Sequence, residues 1–233
     1  MGQEKLFGEY FNAIFENSNT FTAKEYKQDF MKYELNCSKH LPSNRDVRIL
    51  DIGCGTGHFL NFLKKKRYKN FLGIDISPQQ VDFCKKNISQ QVEVADAFEF
   101  LKGKDNYYDV IVANDLLEHI PKNKIVKFLT LVNKASKHGG VFLVKTPNLG
   151  NPFAIFSRYK DFTHTIGFTD KSLYQVLWIA GFRNIQILPF QKMGFTRKAL
   201  VGLIHFFLRK LFWYQGFVAP GILTSLLLGV TKK

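Results

Sequence analysis

Cysteine is scarce in this 233-residue chain: Cys37, Cys54 and Cys84 are the only three. No two of them stand in a C-x-x-C spacing. That excludes a disulfide framework and a structural zinc knuckle, and it suits a reducing, cytoplasmic compartment. The opening Met-Gly-Gln-Glu-Lys-Leu lacks the apolar stretch of a secretory leader. Leu6 stands where a myristoylation signal has Ser or Thr. Internal repeats and low-complexity linkers are missing. So are acidic residues from position 171 to the end, a stretch that carries nine basic ones.

Apolar residues make up 45% of the chain and aromatics 15%, with 24 Phe, which is ample for a sizeable core. The net charge of +14 is lopsided, because residues 1–170 hold 24 basic against 19 acidic residues. The rest comes from the C-terminal third, which is also the most apolar. Basic plus apolar points to a membrane surface or an anionic, lipid-like ligand. Basic plus polar would have pointed to nucleic acid. The run Lys64-Lys65-Lys66-Arg67 ends an expected helix, where cations complement the helix dipole.

Four units are expected. Residues 1–44 form a helical cap with Phe7, Tyr10, Phe11 and Phe15 at helical spacing, closed by the turn Pro42-Ser43-Asn44. Residues 45–190 alternate strands and helices. The strands are Val47–Ile52, Phe71–Ile76, Val92–Ala95, Tyr108–Ala113, Gly140–Thr146 and Asn184–Leu188. The helices are Gly57–Lys66, Pro78–Asn87, Lys122–Lys137 and Asp170–Ala180. Such alternation predicts an α/β three-layer sandwich, a mostly parallel sheet with helices on both faces. Residues 191–219 are an apolar, basic insertion. Residues 220–233 contain a last strand, Ile222–Val230.

Within the insertion, Arg197–Tyr214 reads as a helix. Lys198, Gly202, His205 and Arg209 form one narrow non-apolar stripe on it. The 21 uncharged residues Leu211–Thr231 match a bilayer span in length. Pro220, Gly221, Gln215, Thr224 and Ser225 argue instead for an interfacial helix or a lid over substrate, and burial in a core or dimer is the remaining reading.

The most informative segment is Val47-Arg48-Ile49-Leu50-Asp51-Ile52-Gly53-Cys54-Gly55-Thr56-Gly57-His58. A buried strand enters three glycines at alternate positions, and a helix follows. Glycines permit positive φ and close approach of a ligand to the backbone, so the segment suits a nucleotide pocket at a helix N-terminus. The spacing is neither the dinucleotide G-x-G-x-x-G nor a Walker loop, which needs Lys-Ser/Thr. A turn that serves packing alone is the alternative. Asp75, at the tip of the second strand, is placed to accept both ribose hydroxyls, or else to cap a helix, a role Ser77 before Pro78 fills better. Asp96, after the third strand, either takes an adenine amine or caps the next helix.

These segments, with Tyr108-Asp109-Val110-Ile111-Val112-Ala113-Asn114-Asp115-Leu116-Leu117-Glu118-His119-Ile120, resemble the class I S-adenosylmethionine-dependent methyltransferases. Within them the ubiquinone-biosynthesis O-methyltransferases and enzymes of bacterial glycan synthesis are the most similar. The resemblance covers about residues 45–190. It implies a seven-stranded sheet with the last strand antiparallel, and S-adenosylmethionine as cofactor. It also implies that Asp51, Gly53, Gly55 and Gly57 line the methionine end, that Asp75 binds ribose with Ile76 on adenine, and that Asp96 and Ala97 meet the adenine edge. The backbone of Asn114 would accept from the methionine ammonium, and Tyr10 or Tyr26 would close the mouth.

Methyl transfer from a sulfonium is an in-line displacement, so the protein chiefly aligns donor and acceptor. A hydroxyl acceptor also needs a base. His119 and His164 are the candidate bases, since imidazole titrates near neutrality; Asp115 and Glu118 are alternatives as base or orienter. Each histidine could instead hold a loop in place. His58 and His205 read as structural or surface residues. No His–carboxylate cluster shows metal spacing, so no metal is expected. Arg158 and Lys160, after Thr146-Pro147-Asn148, could hold a phosphate or carboxylate of the acceptor.

The acceptor expected is a small molecule, a glycan precursor or a lipid-linked compound, met at an anionic, inner membrane surface. RNA is the rival class. Ala113-Asn114-Asp115-Leu116 is not the Asn/Asp-Pro-Pro-aromatic motif used on base amines, and neither Cys54 nor Cys84 follows strand four or five. A non-catalytic cofactor-binding protein is the third reading.

Overall fold

The computed structural model describes residues 22–191 and 195–233. The strands are β1 (Ile49–Ile52), β2 (Phe71–Asp75), β3 (Val92–Val94), β4 (Tyr108–Asn114), β5 (Ser136–Pro147), β6 (Arg183–Pro189) and β7 (Leu226–Lys232). They form one sheet in the order β3-β2-β1-β4-β5-β7-β6. β1 to β5 run parallel, and β7 lies antiparallel between β5 and β6. The expected seven-stranded α/β sandwich is therefore present.

The helices are α1 (Ala23–Asn36), α2 (His58–Lys65), α3 (Pro78–Asn87), α4 (Ala97–Phe100), α5 (Ile125–Ala135), α6 (Ile155–Tyr159), α7 (Asp170–Ile179) and α8 (Phe195–Tyr214). Side chains alternate across the sheet with period two. Leu50, Ile111 and Phe142 face one core with Phe128 and Leu129 of α5 and Leu173 and Leu177 of α7. Ile49, Val110, Val112 and Leu143 face the other, with Tyr33 of α1, Phe59 and Phe62 of α2 and Val81 of α3. Burial on both faces explains why β1 reads as an apolar run broken only by Asp51.

Several boundaries differ from the sequence reading. The helix expected over Lys122–Lys137 is α over Ile125–Ala135 only, and Ser136 already begins β5. β7 starts at Leu226 because residues 222–224 are held otherwise. Their carbonyls accept from side chains: Asn148 Nδ2 donates to Ile222 (2.9 Å) and Thr224 (2.8 Å), and Asn151 Nδ2 to Leu223 (2.7 Å). The stretch Leu211–Thr231 is thus divided among the end of α8, this strap and β7, and the spanning reading fails. Among the described residues no helix is long and apolar enough to cross a membrane. The short helices α4 and α6 were not anticipated.

Of the expected cap, Phe7, Tyr10, Phe11 and Phe15 lie outside the described residues, as does Met193 of the insertion. The described part is α1, started by a capping box between Thr22 and Glu25. Tyr33 sits edge-on to Phe59, with ring centroids 5.0 Å apart. That contact seats α1 over α2 and the glycine loop.

Gly57 is the N-cap of α2 at φ +86°, and a Cβ there would lie 2.5 Å from Cys84 Sγ. Gly57→Ala is expected to destabilise the fold by about 1–3 kcal/mol in urea unfolding. Gly202→Ala on α8, where an added Cβ meets no atom within 4 Å, should instead be neutral or stabilise by up to about 1 kcal/mol.

Candidate active site

A cleft of about 1270 Å³ opens at the carboxyl ends of β1, β2, β4 and β5, the edge where open α/β sheets bind ligands. Asp51, Gly53, Gly55, Asp75, Ile76 and Asp96 line one end. Asp115, Glu118, His119, Lys145, Asp161 and His164 line the other.

At the first end, β1 runs into a loop in which Gly53, Gly55 and Gly57 all take positive φ. Asp75 secures this loop: the Gly55 N–H donates to its Oδ2 at 2.8 Å and the Ser77 N–H to its Oδ1 at 2.9 Å. Each oxygen keeps acceptor capacity beyond that bond. Ile76, next along, is 42% exposed, an apolar surface on the cleft wall. Asp96 caps α4, its Oδ1 accepting from the N–H groups of Phe98 (2.8 Å) and Glu99 (3.0 Å). The capping alternative is thus realised, and an adenine contact would fall to its other oxygen. Ala97 follows on the same wall.

Asp51 is 1% exposed, and neither carboxylate oxygen has a hydrogen-bond partner. Burial, followed by the neighbouring Asp75, pushes its pKa up to about 8, against a smaller opposing pull from Lys145. A buried carboxylate without a partner is costly. The side-chain Nδ2 of Asn114, at the end of β4, is likewise buried and unpaired.

α1 covers this end. Tyr26 Oη donates to the Thr56 carbonyl at 2.9 Å and its ring stacks on His58 at 4.3 Å. His58 Nδ1 lies 2.8 Å from Asp29 Oδ2. His58 is therefore structural, as expected, and Tyr26 touches the glycine loop, whereas Tyr10 lies outside the described residues.

The second end is denser than the sequence suggested. Lys145 Nζ is 2.6 Å from Asp115 Oδ2 and lies over the rings of Tyr33 (5.6 Å) and Phe190 (5.4 Å). Asp115 is held at φ +50°, with its N–H donating to the Lys145 carbonyl at 2.8 Å. Its charge is spent on Lys145, which suits an orienter and not a base. Glu118 is buried and accepts from Thr146 Oγ1 at 3.1 Å, and burial, then Asp115, raises its pKa to about 8.

His119 Nδ1 is 2.8 Å from Thr163 Oγ1, and that hydroxyl donates to Asp161 Oδ1 at 2.7 Å. Having spent its proton on a carboxylate, Thr163 must accept from His119. The Nδ1–H tautomer follows, with the lone pair on Nε2. Burial, then His164, lowers the His119 pKa to about 4, so the ring is neutral near pH 7. His164 donates from Nδ1 to the Ser157 carbonyl at 2.7 Å, and its ring lies edge-on to His119 at 4.7 Å. Arg158 is not among the residues that line the cleft, and its guanidinium donates to the carbonyls of His164 and Thr165. Lys160 does line the cleft.

The absence of a metal-spaced cluster, expected from sequence, does not survive folding. Ligand atoms of Glu118, His119 and His164 lie within 4.8 Å of one another. Sequence reasoning also missed Lys145, Thr163 and Asp161. Lys145 left a signal, a lone charge near the carboxyl end of Val141-Phe142-Leu143-Val144-Lys145. Thr163 and Asp161 left none, because their roles depend on a loop folding back onto His119.

The sequence matches the methyltransferase domain family over residues 19–187. The chain belongs to that family. The fold is that of S-adenosylmethionine-dependent methyltransferases. One from Archaeoglobus fulgidus superposes with a TM-score of 0.67 at 22% identity, over 100% of both chains. The malonyl-[acyl-carrier protein] O-methyltransferase of Hamiltonella defensa is 29% identical over 103 residues, 44% of this chain and 39% of the relative. The cyclopropane-fatty-acyl-phospholipid synthase of Escherichia coli is 24% identical over 115 residues, 49% of this chain and 30% of the relative. The methyltransferase chain spans less than half the length of the curated relatives it matches.

The methyltransferase cleft fits the cofactor of this fold. S-adenosylmethionine carries a cationic sulfur and an ammonium at one end and a nucleoside at the other. The unpartnered Asp51 carboxylate suits the cationic end. Asp75, Ile76 and Asp96 line the same end of the cleft with a carboxylate, an apolar face and a second carboxylate, groups that suit ribose hydroxyls and an adenine.

With its pKa raised, Asp51 keeps its proton in the folded state from about pH 4 to about pH 8, while the unfolded chain has lost it. Stability of the ligand-free protein should therefore fall as pH rises through that window, with Glu118 contributing in the same direction. Thermal melts from pH 5 to 9 should show the fall, and Asp51→Asn should flatten part of it. By calorimetry the same variant should bind S-adenosylmethionine more weakly, by on the order of 1.5–3 kcal/mol.

Proposed function

We propose that this protein transfers the methyl group of S-adenosylmethionine to a hydroxyl of a glycan precursor or a lipid-linked small molecule at a membrane surface. The observation that carries the reading is the relay Asp161–Thr163–His119, set in the same cleft as the glycine loop and Asp75. The cofactor, when bound, supplies a methyl group already activated on a cationic sulfur. This chain's residues do the rest.

Asp75 would hold the ribose hydroxyls, with Ile76 against adenine and Asp96 and Ala97 at its edge. Asp51, Gly53, Gly55 and Gly57 would surround the methionine end, with the Asn114 carbonyl accepting from its ammonium. His119 would take the acceptor's proton on Nε2. A neutral imidazole of low basicity suffices, because a hydroxyl oxygen that has begun to bond methyl sheds its proton readily. The Thr163 hydroxyl and Asp161 keep the imidazole in the required tautomer. His164 packs against it and would serve as second base. Glu118 and the Asp115–Lys145 pair would orient the acceptor, and Lys160 and Lys124 at the rim suit one bearing phosphate or carboxylate.

Support for an oxygen acceptor comes from the Hamiltonella relative, named an O-methyltransferase. Support for an acceptor with a lipid portion comes from the Escherichia coli relative, named for a fatty-acyl-phospholipid. A quinone-precursor phenol is the second reading, favoured by the apolar surface near the cleft: Phe153, Phe156 and Phe162 are all exposed there.

Asp75→Ala should abolish S-adenosylmethionine binding in calorimetry; unchanged affinity would falsify the ribose assignment. In a turnover screen over nucleotide-sugars, lipid-linked sugars, polyprenyl phenols and RNA, one of the first three classes should be methylated and RNA should not. On that acceptor His119→Ala should lower kcat by about 10²–10⁴-fold, and His164→Ala by less. Full turnover in both variants would remove the relay from the chemistry. Turnover should also survive exhaustive chelation, and a loss reversed by a divalent ion would make Glu118, His119 and His164 a metal centre.

A further inference from the structure

Two apolar segments beside the cleft present their hydrophobic sides outward. The first is α6 with its flanks. On its inner side Ser157, Lys160, Asp161 and His164 line the cleft. On its outer side Phe153, Ile155, Phe156, Tyr159 and Phe162 are exposed, Phe162 at 88%.

The second is α8. Its most covered residues are Val201, His205, Leu208 and Phe212; Arg209 Nη2 donates from an exposed position to the Gly221 carbonyl at 2.9 Å, and His205 lies against the Leu223 backbone. Leu200, Leu203, Phe207, Leu211, Trp213 and Tyr214 are left exposed. A surface helix of a water-soluble domain does not ordinarily leave so many large apolar side chains in solvent. The two segments share an anchor, because Asn148 and Asn151, just before α6, hold the carbonyls of residues 222–224.

We propose that α6 and α8 together form a docking face for an anionic lipid bilayer, which sets the mouth of the cleft at the membrane surface. The inference rests on the methyltransferase reading and names the partner that presents its acceptor. A bilayer is the occupant because apolar side chains are mixed with cations of one sign. Arg209 and Lys210 are exposed on α8, and Lys160 is exposed at the end of α6. Lys122, Lys124 and Lys127 are exposed beside the cleft, and Lys124 lines it. Phe, Trp and Tyr on the outer side are the residues that settle at the headgroup boundary. Because α6 has one side in the cleft and the other in lipid, an acceptor could enter with its polar head forward and its tail still in the bilayer.

The test is sedimentation of the full chain with phosphatidylcholine vesicles, with and without equimolar phosphatidylglycerol. Two variants accompany it: Phe153→Ser/Phe156→Ser/Phe162→Ser and Leu203→Glu/Phe207→Glu/Leu211→Glu. Melting curves and S-adenosylmethionine calorimetry establish that each variant is folded. The wild type should bind mixed vesicles at least tenfold more tightly than neutral ones, and each variant should lose at least tenfold with donor affinity unchanged.

Three outcomes would overturn the proposal. They are equal sedimentation of wild type and folded variants, a wild-type dimer that the variants dissolve with no vesicle binding, and displacement from vesicles by RNA at lower concentration than by soluble anionic lipid. A wild type that binds the donor but neither kind of vesicle counts against the docking face alone. Vesicle binding by a chain that never binds the donor counts against the methyltransferase reading alone.

Discussion

The bond from the Gly55 N–H to the Asp75 carboxylate carries the pairing of β1 and β2 beyond the strands and into the glycine loop. Gly55 belongs to the loop after β1 and Asp75 is the last residue of β2. The N–H groups of Gly53 and Cys54 donate to the Ile74 carbonyl at 2.8 and 3.0 Å, so the loop with its three residues at positive φ is tied to β2 at three points. The carboxylate that accepts from Gly55 also accepts from Ser77, at the start of α3. Loop, strand tip and helix N-terminus are thereby fixed around the space a nucleoside would fill, and α1 adds a roof through Tyr26 and Thr56.

The electrostatics of the floor follow from the same parallel sheet. Strand ends gather at one edge, so Asp51 of β1, Asp115 after β4 and Lys145 of β5 are brought together, with Glu118 beside them. Three acids against one lysine leave the floor short of positive charge. Asp51, buried and without a partner, answers by holding its proton near pH 7. A cation bound there would favour the ionised carboxylate that burial otherwise disfavours. Lys145 cannot serve Asp51 fully, because its ammonium is 2.6 Å from Asp115.

The histidine end is built from less regular parts. Its histidines come from a turn after β4 and a loop after α6, and the loop is held by Arg158 and by Thr165, whose hydroxyl donates to the Ile120 carbonyl at 2.7 Å. Loops on a rigid sheet can vary without loss of the core. That accounts for a glycine-loop end legible in residue spacing and a histidine end that is not.

Local chemistry by itself determined the sheet, its helices and the glycine-loop end. Alternating apolar runs, the G-x-G-x-G bend and the acids at strand tips are short-range patterns, and a parallel sheet places strand tips at one edge whatever the rest of the chain does. Tertiary structure alone decided the remainder. It spent Asp96 on a cap and Arg158 on carbonyls, gave Lys145 to Asp115, and drew Glu118, His119 and His164 into one cluster. It also divided Leu211–Thr231 among helix, strap and strand. Each of these depends on which distant residue a side chain meets, and periodicity along a chain carries no record of that.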